Sequence, residues 1–173
     1  MKTARLLLCV GSLACTFAFA AATPRVSTKL PGKKGQVLTM FADEPVMLRA
    51  IRRARAELDD FFRVVDSPKS YQSNFSVRVA MREAGGGEYL WISGFREGDT
   101  LYEGVVDQDV HPPSAFKRGD KFTFKRADIV DWTYTDTREG RVHGAYTECA
   151  LLTLAPADVA QKIRTEHKID CDF

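Results

Sequence analysis

The chain is short of the residue types that announce a chemistry. Histidine occurs three times in 173 residues, as His111, His143 and His167, and no His-x-x-x-His spacing is present. A ready-made metal site is therefore not expected. The four cysteines include no Cys-x-x-Cys, which leaves dithiol redox catalysis and thiolate zinc without support. No Gly-x-Ser-x-Gly offers an activated serine, and Ser93 before Gly94 reads as a strand-end turn. Gly85-Gly86-Gly87 joins two strand-like runs and precedes no helix, so it reads as a hairpin turn and not a phosphate loop. Repeats and low-complexity segments are absent, and nothing calls for a cofactor.

An excess of charge of either sign is lacking too. Lys2 and Arg5 precede an apolar run from Leu6 to Phe19, which ends in Ala20-Ala21-Ala22 before Thr23-Pro24. This is the layout of a secretory signal peptide over residues 1–22, with cleavage expected after Ala20 or Ala22. The run falls short of the roughly 20 apolar residues of a membrane span, so no stable span is expected after cleavage. Lipidation at Cys15 is the lesser alternative, because Ser12 stands three places upstream where a leucine is usual. Without Lys2 and Arg5, the 25 Lys and Arg fall to 23 and match the 23 Asp and Glu. A near-neutral mature chain has no cationic field to gather nucleic acid. The expectation is a periplasmic or secreted protein.

Removal of the leader takes Cys9 and Cys15 with it and leaves Cys149 and Cys171. An even pair in an oxidising compartment suggests one internal disulfide tying the tail to the core. Two free thiols, or pairing between chains through Cys171, are the alternatives.

About 150 residues then remain, enough for one domain. Residues 23–42, rich in Pro, Gly, Lys and Thr and without a period, read as a flexible arm. Asp43-Glu44-Pro45 reads as a helix start. Met47, Ile51, Ala54, Leu58, Phe61, Phe62 and Val65 continue it at helical spacing as one long amphipathic helix that Ser67-Pro68 ends. Phe75 to Met81 alternates apolar and polar residues, the mark of a strand with one face buried. Glu88–Ile92 and Thr100–Val106 complete an antiparallel meander. The polar stretch 107–119 with Pro112-Pro113 reads as a loop. Lys121–Phe124 and Ile129–Thr135 read as further strands. Tyr146–Leu154 reads as helix, with strand as the alternative, and Ala155–His167 reads as helix. The expected fold is a single α+β domain over residues 43–173: one long helix packed on a largely antiparallel five- or six-stranded sheet, with a helical C-terminus.

Several blocks carry a resemblance. Phe75-Ser76-Val77-Arg78-Val79 and Glu88-Tyr89-Leu90-Trp91-Ile92 are followed by Phe116-Lys117-Arg118-Gly119-Asp120, Ile129-Val130-Asp131-Trp132-Thr133-Tyr134 and Gly144-Ala145-Tyr146-Thr147. With the helix pattern at residues 54–61, they resemble the YegJ-like bacterial family, domain of unknown function 2314, over roughly residues 43–154. The resemblance implies a small envelope domain and no settled activity. The family pattern has an Arg two places after the Tyr-Thr pair. Here Cys149 takes that place, which suggests a branch using the position for a disulfide.

The candidate contact residues are Trp91, His111, Asp131, Trp132, Tyr134, His143 and Tyr146. Trp132 and Tyr134 share one face of a strand and Asp131 points to the other. Aromatic rings beside an acid and a histidine can line a ligand groove, although such rings at strand spacing also serve ordinary cross-strand packing. Two function classes follow. One is a non-catalytic envelope binding module for a protein partner, of inhibitor or immunity type, or for a cell-wall ligand. The other is a small envelope hydrolase, with Asp131 or Glu148 as base and His143 or His111 as acid.

Overall fold

Two residue periods alternate along the chain, and each becomes an element. The computed structural model describes residues 23, 25–29, 37–83, 86–108 and 116–171. The expected leader, Gly85 in its turn, and His111 with the double proline lie outside them. Among the described residues there are four α-helices and one curled, mixed eight-stranded sheet, an α+β fold.

Pro45 opens α1 (Pro45–Ala56), where a missing N–H costs nothing, and Met47, Ala50, Ile51 and Ala54 form its buried stripe. Glu57 interrupts the pattern, and α2 (Leu58–Asp66) follows it. The single helix read from the sequence is therefore two. The cause lies across the core. The indole N–H of Trp132 donates to the Ala54 carbonyl oxygen at 2.9 Å, and a side chain inserted at a helix carbonyl is a known source of kinks. Periodicity does not register such an insertion, because the buried stripe runs on through the break as Leu58 and Phe61.

β3 (Gln72–Glu83) and β4 (Gly86–Glu97) pair antiparallel from Ser76↔Ser93 to Glu83↔Gly86. β5 (Tyr102–Val106) pairs with β4, and β6 (Lys121–Phe124) with β5. The other edge of β3 takes β7 (Ile129–Asp136), which pairs with β8 (Arg141–Gly144). The helical readings of the C-terminal part become α3 (Tyr146–Leu152) and α4 (Ala157–His167).

The described part of the segment expected as a flexible arm is mainly strand, paired within the sheet. It forms β1 (Arg25–Lys29) and β2 (Val37–Phe41), an antiparallel pair in register from Arg25↔Phe41 to Lys29↔Val37. Val26, Leu38 and Met40 are buried. A fully buried side chain of this size contributes about 1.5–3 kcal/mol, which offsets the roughly 1–2 kcal/mol cost of ordering its residue. Composition averaged over the segment hid three well-placed apolar positions.

The hairpin joins the sheet parallel to β4 at Arg25↔Glu88, so the sheet is mixed and not wholly antiparallel. The edge of β4 away from β3 is thereby shared, with β1 at Glu88 and β5 from Ile92 to Glu97. Between them the Gln108 amide stands in for a strand. Its oxygen accepts from the Trp91 N–H (3.0 Å) and its nitrogen donates to the Tyr89 carbonyl (3.4 Å).

Both sheet faces are covered. Val77, Val79, Leu90, Ile92 and Trp132 pack beneath Ala54, Leu58 and Phe61. Tyr89 and Val130 on the other face pack with Val26, Met40, Ala150 and Leu151, to which α4 adds Ala160 and Ile163. Expecting one buried face for β3 was therefore half of the arrangement.

Candidate functional site

A row of three side chains crosses the sheet on the face that α3 covers. Arg78 of β3 is paired with Trp91 of β4 on one side and Asp131 of β7 on the other. Directly opposed residues share a face. A bulge keeps Asp131 there: the register moves from Arg78↔Asp131 to Val79↔Ile129, leaving Val130 as the additional residue. Val130 and Asp131 consequently face α3 together, and Trp132 turns to the opposite side.

Asp131 is wholly buried and accepts a complete set of hydrogen bonds. One oxygen takes the N–H groups of Trp132 (2.8 Å) and Tyr146 (3.3 Å). The other takes the N–H and hydroxyl of Thr147. Burial pushes its carboxyl up to about 6, against the Thr147 and Trp132 hydrogen bonds and the Arg78 charge, which pull it down.

Arg78 is equally inaccessible. Its Nη1 donates to the Thr147 hydroxyl and to Glu148 Oε1, each at 3.0 Å, and its Nη2 donates to the Ser27 carbonyl of β1 at 2.5 Å. Thr147 thus relays between Arg78 and Asp131. The guanidinium lies 5.2 Å from the centre of the Trp91 ring, and Trp91 Nε1 donates to the same Glu148 oxygen at 3.3 Å. A buried charge is tolerable only when paired and hydrogen-bonded, and this guanidinium draws its partners from β1, β4 and α3.

Above this floor opens a cleft of about 300 Å³. Trp91, Glu148, Asp107, Ser76 and Thr133 give it a polar side. Val142, Leu152, Ile163 and Ile169 give it an apolar side, and His167 stands at its border. Asp107 is partly exposed and pairs with Arg118. The disulfide expected between Cys149 and Cys171 is present, with a Cα separation of 5.4 Å. It ties α3 to the tail that leaves α4, next to the cleft residue Ile169.

The residues singled out in the sequence divide into two groups. Trp91 borders the cleft and Asp131 lies sealed beneath it. Trp132, Tyr134 and His143 belong to the opposite face. Trp132 stacks on Phe61 with ring centres 5.0 Å apart, and the His143 ring lies flat on Tyr134 at 4.6 Å. The sheet therefore separates Asp131 from His143. Glu148 is the carboxylate of the two acids that reaches open space, and the described histidine that lines the same cleft is His167. Tyr146 links the layers: its hydroxyl donates to Glu57 at the break between α1 and α2, and burial with that bond pushes it up to about 12.

Reading along the sequence missed Arg78 and Thr147 as site residues, whereas Asp107 opens the polar loop 107–119 expected at a contact surface. A signal was available for Arg78. It and Asp131 are single charges of opposite sign, each flanked by apolar residues, and buried charges need each other.

The family model described as "Uncharacterized protein conserved in bacteria (DUF2314)" matches residues 44–173. The chain belongs to the DUF2314 family. It is also similar to the uncharacterized protein YegJ of Escherichia coli (strain K12), with 29% identity over 124 residues, 72% of this chain and 78% of that protein. No solved structure matches the chain. The DUF2314 match includes Arg78, Trp91, Asp131, Thr147 and Glu148. Ser27, the remaining partner of Arg78, precedes it.

Proposed function

We propose that this DUF2314 protein is exported to the bacterial envelope and acts there as a non-catalytic binding module, through the cleft over Arg78, Trp91 and Glu148. The carrying observation is the rigid construction of the cleft floor: a buried guanidinium fixed by three elements holds Glu148 and the Trp91 indole in place at an open cavity of about 300 Å³. Preorganised polar groups beside an apolar wall suit recognition. The ligand class that fits has an apolar body and hydrogen-bond donors directed at Glu148 and Asp107, as the end of a peptide or a cell-wall fragment would. The signal-peptide layout and the disulfide support export.

A hydrolytic use of the same cleft would fall to Glu148 with His167. The two hydrogen bonds that Glu148 already accepts favour a holding role.

The test is to display the processed protein to peptidoglycan fragments and to an envelope extract, following Trp91 fluorescence and captured partners. Trp91→Phe and Glu148→Gln should weaken capture about tenfold, the loss of roughly one charged hydrogen bond. Capture unchanged in both variants would remove the cleft from the proposal. Full-length chain with Met1 in the cytosol, in place of a mature end after Ala20 or Ala22, would remove export.

A further inference from the structure

The far end of the β7–β8 hairpin holds a second set of polar groups, on the sheet face opposite the cleft and independent of the cleft reading. Asp136 ends β7, Glu139 lies in the turn, and His143 is on β8. Tyr134↔His143 and Asp136↔Arg141 are opposed pairs, so Asp136 and His143 are diagonal neighbours on one face. One donor atom from each of Asp136, Glu139 and His143 lies within 4.8 Å of the other two.

Three features set this group apart from an ordinary surface cluster. His143 Nε2 is shielded from solvent and makes no hydrogen bond among the described residues, although Glu139 Oε2 stands 3.1 Å away, out of line for a ring N–H. The His143 ring cannot easily turn elsewhere, because it is stacked on Tyr134 at an interplanar angle of 5°. The Asp136 side chain is 3% exposed, and its Oδ1 accepts the turn N–H groups of Arg138 (2.9 Å) and Glu139 (3.0 Å). Those bonds orient the carboxylate as outer partners orient a metal ligand. Among the described residues, its other oxygen is approached by the Arg138 guanidinium at 4.0 Å.

We propose that Asp136, Glu139 and His143 bind a divalent metal ion of the zinc class. One imidazole with two carboxylates is a donor set for Zn²⁺ or Co²⁺, and the nitrogen disfavours Mg²⁺ and Ca²⁺. Tetrahedral bonds of about 2.1 Å place donors about 3.4 Å apart, close to the His143–Glu139 approach and within a side-chain rotation of the rest. Coordination gives Nε2 a directed bond that it does not make among the described residues and leaves a fourth position for water. The competitor is Arg141, whose Nε donates to Glu139 Oε2 at 2.9 Å and must release it.

The experiment titrates Zn²⁺ into metal-stripped protein by calorimetry and Co²⁺ by visible absorption, with melting temperature read in parallel. Wild type should take up one ion, show Co²⁺ bands and melt higher with Zn²⁺. Glu139→Gln, in a side chain 41% exposed and remote from the core, should lose affinity at least tenfold, as should His143→Ala. Arg141→Gln, which frees Glu139, should bind more tightly. Zn²⁺ uptake by wild type no stronger than by Glu139→Gln would overturn the proposal. So would uptake that survives unchanged in both ligand variants, since the ion would then sit elsewhere.

Discussion

Asp131 holds a carboxyl where water does not reach, and its titration should be visible in the stability of the protein. Its folded value of about 6 lies above the roughly 3.9 of an unfolded aspartate. Between those values the folded state keeps the proton and the unfolded state has lost it. The contribution of this group is therefore fully present below about pH 4 and falls away as pH rises through about 6. The size is about 3 kcal/mol, two units at 1.36 kcal/mol each. Urea unfolding of wild type and Asp131→Asn between pH 4 and 7 checks it: wild type should lose stability relative to the variant as pH rises. A constant difference would mean that the hydrogen bonds and Arg78 hold the carboxyl at an ordinary value. At the same scale, Arg78 shows why a strand pattern can mislead. Val-Arg-Val reads as in-out-in, but the outward side of β3 is roofed by α3 and β1.

Among the elements, α4 and the tail depend most on a single link. Of α4, only Ala160 and Ile163 are buried, and beyond it Ile169 bridges Val142 in the parallel sense while Cys171 bonds Cys149. The bridge spans 22 residues. Its loss should cost about 3 kcal/mol through the entropy regained by the unfolded chain. Cys149→Ala with Cys171→Ala, followed by amide hydrogen exchange, should show α4 losing protection well before β3 does. Equal loss along the chain would mean that α4 is held by the sheet and not by the bridge. The break between α1 and α2 belongs to this scale as well. It is set by the Trp132 indole on Ala54 and secured by Tyr146 on Glu57, two contacts made over separations of 78 and 89 residues.

For the molecule as a whole, the N-terminal hairpin closes the second layer. It buries Val26, Leu38 and Met40 and gives Arg78 the Ser27 carbonyl. A free arm could be deleted without consequence. Deleting residues 23–42 should instead lower the unfolding free energy by about 3 kcal/mol or more, because each buried side chain contributes about 1.5–3 kcal/mol. It should also disturb Trp91 fluorescence through Arg78. Calorimetry and emission spectra of the truncated protein test both, and an unchanged melting curve would refute the docking of the hairpin. Among the described residues no helix is long and apolar enough to cross a membrane.

What the amino-acid order determined by itself was local or pairwise. It includes the change from helical to alternating period at Ser67-Pro68, the strands of the meander, the helical C-terminal part, the family, and, with the expected leader set aside, Cys149 and Cys171 as the two cysteines available for a bridge. Each rests on short-range spacing or on arithmetic, which need no knowledge of neighbours. The tertiary structure alone decided which strand faces are dry, that Asp131 is sealed beneath a cleft while Trp132, Tyr134 and His143 lie behind it, that Glu57 breaks a helix, and that Arg25–Lys29 and Val37–Phe41 are strands of the sheet. Those outcomes depend on which layer packs on which. Packing is a sum over residues far apart in the chain, and no window of sequence contains it.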